Sequence, residues 1–352
     1  MSEANSPVSA PSGAPTPSAS AAVPARKPRV MSGMRVTGRL HIGHYFGALQ
    51  NWVSLQNDYE CFFGAMDWHG MTTAYKSPKE IVPWTREMIA EFIAWGVDPE
   101  KCTLFVQSMV PEHIELFMIF MNLTPMGWLE RVNTWKDAVE EMKANDTYNL
   151  GRFAYPVLQA ADIAIYRAQK VPVGQDQVSH LEISREIVRR FNHLYKAKLP
   201  EMTPMLTEIP LVTGLDGRKM SKSYGNTLYL TEDSEKDLKK KVNMMVTDPS
   251  RVRREDVGEP AKCSVYGYHK LYSTAEDLQW VEAGCRSAGI GCGDCKGRLA
   301  QNLEKISAGP REKKKELLNN PTHLDSIIAA GCAKARKEAQ KTLEIVRSSM
   351  KW

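Results

Sequence analysis

The residues best suited to chemistry fall in two short strings. Gly38-Arg39-Leu40-His41-Ile42-Gly43-His44 carries two histidines, and Gly217-Arg218-Lys219-Met220-Ser221-Lys222-Ser223 carries two lysines and two serines. On a helix, His41 and His44 lie one turn apart and can face one ligand group. A helix N-terminus there presents free backbone N–H groups and partial positive charge, which suits a phosphate. Gly43 removes a side chain, so a base or ribose can approach the backbone. Leu215-Asp216-Gly217 is turn chemistry and places residues 219–223 on a loop. Lys219 and Lys222 offer mobile ammonium groups, and Ser221 and Ser223 hydroxyls, to phosphate groups. Gly214, Gly217 and Gly225 allow that loop to close. Alone, an HxxH string is more often an ordinary loop and a KxxK string a solvated turn. Their joint occurrence points to nucleotide chemistry.

The elements that must hold these strings can be read from periodicity. Residues 30–34 read as a strand leading into Gly38. Tyr45, Leu49, Trp52, Val53 and Gln56 then fall at helical spacing. Residues 61–66 and 104–106 read as buried strands. Ile81, Trp84, Met88, Phe92 and Trp95 form a helical stripe between them, ended near Gly96 and Asp98-Pro99. Strands alternating with helices predict an α/β fold of Rossmann type with a mainly parallel sheet. Residues 111–150 read as a helical insertion rich in Met and aromatics, fit for a core or an oligomer surface. Beyond Asn226 the strand signals fade into Lys- and Glu-rich helical segments. The expected organisation is a tail over 1–30, a catalytic domain over 31–228 and a mostly helical domain over 229–352.

Composition sets the bounds. The chain has 352 residues, 43% hydrophobic, with a formal net charge of +5. That permits a nucleic-acid partner without demanding one. No apolar run approaches the roughly 20 residues that span a bilayer. Residues 1–30 are rich in Ala, Pro and Ser without the apolar block of a secretory signal, so a disordered tail and a cytoplasmic location are expected. Seven cysteines in such a chain make a disulfide framework unlikely on chemical grounds.

From about residue 31 to 226, the two strings and their order resemble the two signatures of class I aminoacyl-tRNA synthetases. The resemblance implies ATP as substrate with Mg²⁺, and tRNA as second substrate. It gives His41 and His44 the stabilisation of the α-phosphate transition state. It gives Lys219 and Lys222 the leaving pyrophosphate, and Lys136 a place near the phosphates or Mg²⁺. It implies ATP contacts from Arg35, Val36, Thr37, Gly43, His44, Gly174, Gln175, Asp176 and Val212, and from Lys219, Met220, Ser221, Lys222 and Ser223. Asp176 would reach the ribose hydroxyls.

The segment Tyr155-Pro156-Val157-Leu158-Gln159-Ala160-Ala161-Asp162 narrows the amino acid. Tyr155, Gln159 and Asp162 line one helix face, and Ala160 and Ala161 leave room beside them. A carboxylate on an apolar face is costly unless it meets a donor. The indole N–H only donates, so an acceptor-only carboxylate complements it, and such a bond can discriminate by about 10⁴-fold. The alternative is a cap or core salt bridge. The segment resembles tryptophanyl-tRNA synthetases, where the matching aspartate reads the indole nitrogen. The resemblance implies L-tryptophan and tRNA(Trp) as substrates, Gln177 on the α-amino group, and a homodimer. Tyrosyl-tRNA synthetase shares the fold and both signatures and is the near alternative. A different nucleotidyl transferase and a non-catalytic RNA-binding paralogue are the remaining ones.

Cys263, Cys285, Cys292 and Cys295 follow a C-x₂₁-C-x₆-C-x₂-C pattern. Four thiolates suit zinc or a [4Fe–4S] cluster, and spacing does not separate these. A subset of bacterial tryptophanyl-tRNA synthetases carries a C-terminal [4Fe–4S] cluster on nearly this spacing, and that resemblance favours the cluster over zinc. Arg251, Arg253, Arg254 and Lys262 just before it are candidate phosphate contacts or a solvated face. Cys61, Cys102 and Cys332 read as core thiols.

Overall fold

The computed structural model describes residues 27–352 apart from 133–134, 136–138, 140–141, 144–145, 175–176, 207–211, 219 and 221–223. Nearly all of the 1–30 tail lies outside them. Five strands form one parallel sheet: β1 (Arg29–Arg35), β2 (Glu60–Met66), β3 (Thr103–Val106), β4 (Lys170–Val173) and β5 (Thr203–Leu206), in the order β3-β2-β1-β4-β5. β1 runs beside β2 along its whole length, from Arg29 opposite Glu60 to Arg35 opposite Met66. β2 is buried from Cys61 to Met66, as a strand with helices on both faces must be. The first three strands fall where periodicity places them. The last two are short, and each contains a proline, so neither gives the β-branched run that signals a strand.

β1 and β4 share a single described register pair, Val30 with Lys170. The strand order also reverses there. A crevice at the carboxyl ends of such strands is where open parallel sheets bind ligands, and it lies directly after Arg35 and Val173.

The helix after the first string is not continuous. α1 (Ile42–His44) passes into a π turn over Tyr45–Leu49 and then into α2 (Gln50–Leu55). The wide turn has a packing reason. Leu49 belongs to the apolar core around the sheet, whereas Phe46 belongs to a second core. α3 (Asp67–Ala74) follows β2 and sits tight on the end of β1, because a Cβ at Gly70 would overlap the Val36 carbonyl. α4 (Pro78–Ala94) buries Ile81, Met88 and Phe92 as its stripe predicts. α5 (Glu112–Leu123), α6 (Met126–Glu130), α7 (Leu150–Ala164) and α8 (Val178–Tyr195) complete the sheet region.

The rest is helical: α9 (Glu235–Met244), α10 (Ser264–Tyr272), α11 (Ala275–Arg286), α12 (Cys292–Asn319) and α13 (Pro321–Met350). The second core joins Ile42 and Phe46 to Leu215 and Met220, and both pairs to Leu238, Val265, Tyr268 and Leu299. The two strings therefore meet through their apolar residues. Backbone bonds reinforce this: Ile42 N–H donates to the Leu228 carbonyl at 3.0 Å and Leu230 N–H to the Leu40 carbonyl at 2.9 Å. α13 does not stay with the other C-terminal helices. Leu324, Ile328, Ala335 and Leu343 belong to the sheet core, and Gly331 lets the helix lie against the Leu104 carbonyl of β3. Arg29 at the start of β1 pairs with Glu338 on α13 and with Glu60 on β2.

Candidate active site

The crevice holds a cavity of about 320 Å³. Of the residues singled out from sequence, Arg35, Gly43, His44, Tyr155, Gln159, Asp162, Gly174 and Gln177 line it. Gly43 and His44 come from α1, Arg35 from the end of β1, Gly174 from just after β4, and the Tyr155–Gln159–Asp162 face from α7. The helix N-cap Asn149 starts α7 by accepting from the Arg152 N–H at 3.0 Å. That start fixes the face that Asp162 presents.

Asp162 is 1% exposed and meets three donors. Gln107 Nε2 lies 2.8 Å and His113 Nδ1 2.6 Å from Oδ1, and His69 Nε2 lies 2.7 Å from Oδ2. Burial alone would push the carboxyl up, but the hydrogen bonds from His113 and His69 prevail and hold it at about 2. Asp162 is thus an anion throughout the physiological range. With its proton on Nδ1, His113 accepts at Nε2 from the Tyr166 hydroxyl, 2.7 Å away. Both His113 and Tyr166 are fully buried.

His69, Gln107 and His113 were not singled out from sequence. They come from α3, the 3₁₀ turn after β3 and α5, so no local spacing links them to Asp162. The cavity also contains buried acceptors without a partner among the described residues: Gln159 Oε1 and, in the tautomer that donates to Asp162, His69 Nδ1. A ligand with N–H groups would satisfy them. Near the cavity mouth the Tyr155 hydroxyl is 3.4 Å from Gln177 Oε1, which also lies 3.0 Å from His180 Nδ1.

The first string makes a compact turn. His41 N–H donates to His44 Nδ1 at 3.0 Å, His44 N–H donates to the His41 carbonyl at 2.8 Å, and the two ring centroids are 3.8 Å apart. A Cβ on Gly43 would press on the His41 ring at 3.1 Å. The glycine therefore makes room for His41 itself. Val36 is buried, and Val36, Thr37 and His41 stand outside the cavity lining.

In the second string, Gly217 has φ of 80°, a conformation that favours glycine. Asp216 Oδ1 accepts from Arg218 N–H at 3.0 Å and from Asn226 Nδ2 at 2.7 Å. These bonds, with Asn226 foremost, hold its carboxyl at about 2. Met220 is buried in the second core, and Val212 lines a separate cavity with Gly217, Lys262 and Tyr268. Lys136, Gln175, Asp176, Lys219, Ser221, Lys222 and Ser223 lie outside the described residues.

The four late cysteines are half-buried and free. Cys263 caps α10, Cys285 lies on α11, and Cys292 and Cys295 open α12. Cys295 is pushed up to about 12, first by burial and then by the other three thiols. His269 Nε2 is 3.4 Å from Cys295 Sγ. Among the described residues, no three His, Cys, Asp or Glu side chains are close enough together to hold one metal ion. Arg251 faces inward, with NH2 donating to the Arg254 and Ile290 carbonyls at 2.9 and 2.7 Å, so it is a structural arginine. Cys61, Cys102 and Cys332 are buried.

Comparison with known proteins follows the same lines. A family model described as tRNA synthetases class I (W and Y) matches residues 24–308. The chain is similar to the tryptophan–tRNA ligase of Thermotoga maritima, 48% identical, over 92% of this chain and 98% of that one. It is 43% identical to the tryptophan–tRNA ligase of Ralstonia nicotianae, over 92% of this chain and 98% of that one. Among solved structures it resembles the Campylobacter jejuni tryptophanyl-tRNA synthetase complexed with ADP and tryptophan. The TM-score is 0.83 at 35% identity, over 92% of this chain and all of that one.

The Asp162 network has a measurable consequence. A carboxyl held below its ordinary value stabilises the fold fully above pH 3.8, and the contribution is lost as pH falls through about 2. His113→Phe removes one donor and strands the Tyr166 hydroxyl. It should cost about 1–3 kcal/mol at neutral pH, and acid unfolding should begin at higher pH than in the parent. Denaturant melts across pH check both.

Proposed function

The chain belongs to the tryptophanyl-tRNA synthetases of class I, and from that premise we propose how its residues serve the reaction. L-tryptophan is activated by ATP to tryptophanyl-adenylate and then passed to tRNA(Trp). The observation that carries the assignment of the pocket is the buried, anionic Asp162 on the cavity wall, with the unpartnered Gln159 Oε1 nearby. Gln159 Oε1, without a partner among the described residues, and Asp162 Oδ2, which among them meets only His69 and keeps a lone pair, suit an indole N–H. A tyrosine phenol brings a hydroxyl that also needs a donor.

The indole enters toward Asp162, and the α-amino group lies at Tyr155 and Gln177. This orders the carboxylate toward His44 and Gly43, where the α-phosphate sits at the start of α1. The carboxylate oxygen attacks phosphorus, pyrophosphate leaves, and no enzyme nucleophile is required. Positioning and charge stabilisation supply the rate. Lys219 and Lys222, with Ser221 and Ser223, close over the leaving group, and Lys136 faces the phosphates. Asp176 takes the ribose, with Val36, Thr37, Gln175, Val212 and Met220 bordering ATP. Mg²⁺ travelling with ATP neutralises charge on pyrophosphate.

The four cysteines hold a [4Fe–4S] cluster in this reading. Their C-x₂₁-C-x₆-C-x₂-C spacing supports this reading. Residues 31–228 serve as the catalytic domain and 229–352 as the tRNA-binding domain, with α13 tying the second to the first. Exposed Met109, Met118 and Met126 suit a homodimer face. No described helix is long and apolar enough to cross a membrane, and the reading places the protein in the cytoplasm.

Amino-acid-dependent ATP–pyrophosphate exchange tests the reading. Tryptophan should support exchange and tyrosine should not. Asp162→Ala should raise KM for tryptophan by about 100-fold or more while KM for ATP changes far less; equal effects would make Asp162 structural. Protein purified without oxygen should be brown with about four irons per chain. A colourless protein with one zinc would overturn the cluster.

A further inference from the structure

Beside the cavity just described is a second one of about 370 Å³. Arg35, Tyr155 and Gln177 line both. The new wall is formed by Arg152 from the first turn of α7 and by the apolar Val132, Trp135 and Phe153. Trp135 and Phe153 stand edge to face, with ring centroids 4.9 Å apart.

The two arginines define its chemistry. Arg35 is exposed at the end of β1 and lines both cavities. Its guanidinium is pulled down by burial in the cleft and then by the positive charge of Arg152. Neither side chain has a carboxylate or a hydrogen-bond partner among the described residues, and Arg152 Nε is buried without one. By contrast, buried arginines elsewhere have partners: Arg29 has Glu60 and Glu338, Arg311 has Glu304, and Arg251 has the Arg254 and Ile290 carbonyls. Two like charges left together against an apolar wall are costly unless an anion joins them. Guanidinium forks match phosphate oxygens, and the aromatic faces beside them suit a base.

We propose that this second cavity receives the 3′-terminal nucleotide of the tRNA, its phosphodiester on Arg35 and Arg152 and its base against Trp135 and Phe153. The inference rests on the reading above. There the tryptophan carboxylate and the ATP α-phosphate are already placed at His44 and Gly43, which line the first cavity, whereas Arg152 lines only the second. The anion left over in the reaction is the acceptor end of the tRNA. It has to bring a ribose hydroxyl to the activated carbonyl from the side where Tyr155 and Gln177 stand, and the second cavity opens there. In the transfer step that hydroxyl oxygen bonds to the carbonyl carbon, the carbon–oxygen bond to the adenylate phosphate breaks, AMP departs with the electron pair, and the hydroxyl proton is released.

Arg152→Met keeps the length of the side chain and removes the charge. Single-turnover transfer from enzyme-bound adenylate to tRNA should slow by about tenfold or more, at least five times the loss seen in ATP–pyrophosphate exchange. Arg152→Lys should recover part of the transfer rate, because charge returns without the fork. A tRNA lacking its terminal nucleotide should bind the parent and Arg152→Met equally. Unchanged transfer would overturn the proposal. So would an exchange defect of matching size with a raised KM for tryptophan or ATP, since the arginines would then hold those anions. Absence of exchange in the parent would sink the functional reading instead, and circular dichroism of both variants separates misfolding from either result.

Discussion

One carboxylate sets the demands on this site. Asp162 is removed from water and kept ionised, which is tolerable only because three donors converge on it. Those donors sit on α3, the turn after β3, and α5. The packing of the first half of the sheet can therefore be read as the support for one charge. Gly70 permits α3 to close on β1. Asp67 ties the start of α3 to the turn after β3 by accepting from Ser108 N–H at 2.9 Å. Tyr166 backs His113 from the far side. A pocket built this way is preorganised: the cost of holding the anion is met on folding, before any ligand arrives.

A second constraint couples the ends of the chain. The apolar residues of the two strings share one core, and that core also receives α9, α10 and α12. Tyr268 on α10 donates its hydroxyl to the Thr213 carbonyl at 2.6 Å, close to the turn that starts the second string. The helical region therefore bears directly on the segment that leads into the second string. α13 closes the arrangement by returning to β3 and β1. Burial of Lys314 against Glu87 and Glu91 fixes α12 to α4 in the same sense.

Much of this was legible in the sequence. The strands at 30–34, 61–66 and 104–106 declare themselves because buried parallel strands are nearly continuous apolar runs. The α7 face is legible because a 3.6-residue period puts Tyr155, Gln159 and Asp162 on one side. β4 and β5 were not legible: short segments with proline look like loops until their neighbours are known. The π turn at Tyr45–Leu49 was hidden as well, since it serves two cores that only the tertiary fold separates. His69, Gln107 and His113 left no local signal. The one hint was indirect: an aspartate on an apolar face requires donors from somewhere.

The most direct test of the Asp162 reading uses a ligand change rather than a protein change. Equilibrium binding of L-tryptophan is compared with that of its benzothiophene analogue, in which sulfur replaces the indole N–H and the shape is nearly kept. If the buried carboxylate reads that N–H, the analogue should bind weaker by about 1.5–3 kcal/mol, because a charge-assisted hydrogen bond to the carboxylate is lost in a dry pocket. Equal affinity would contradict the account and leave Asp162 a purely structural anion.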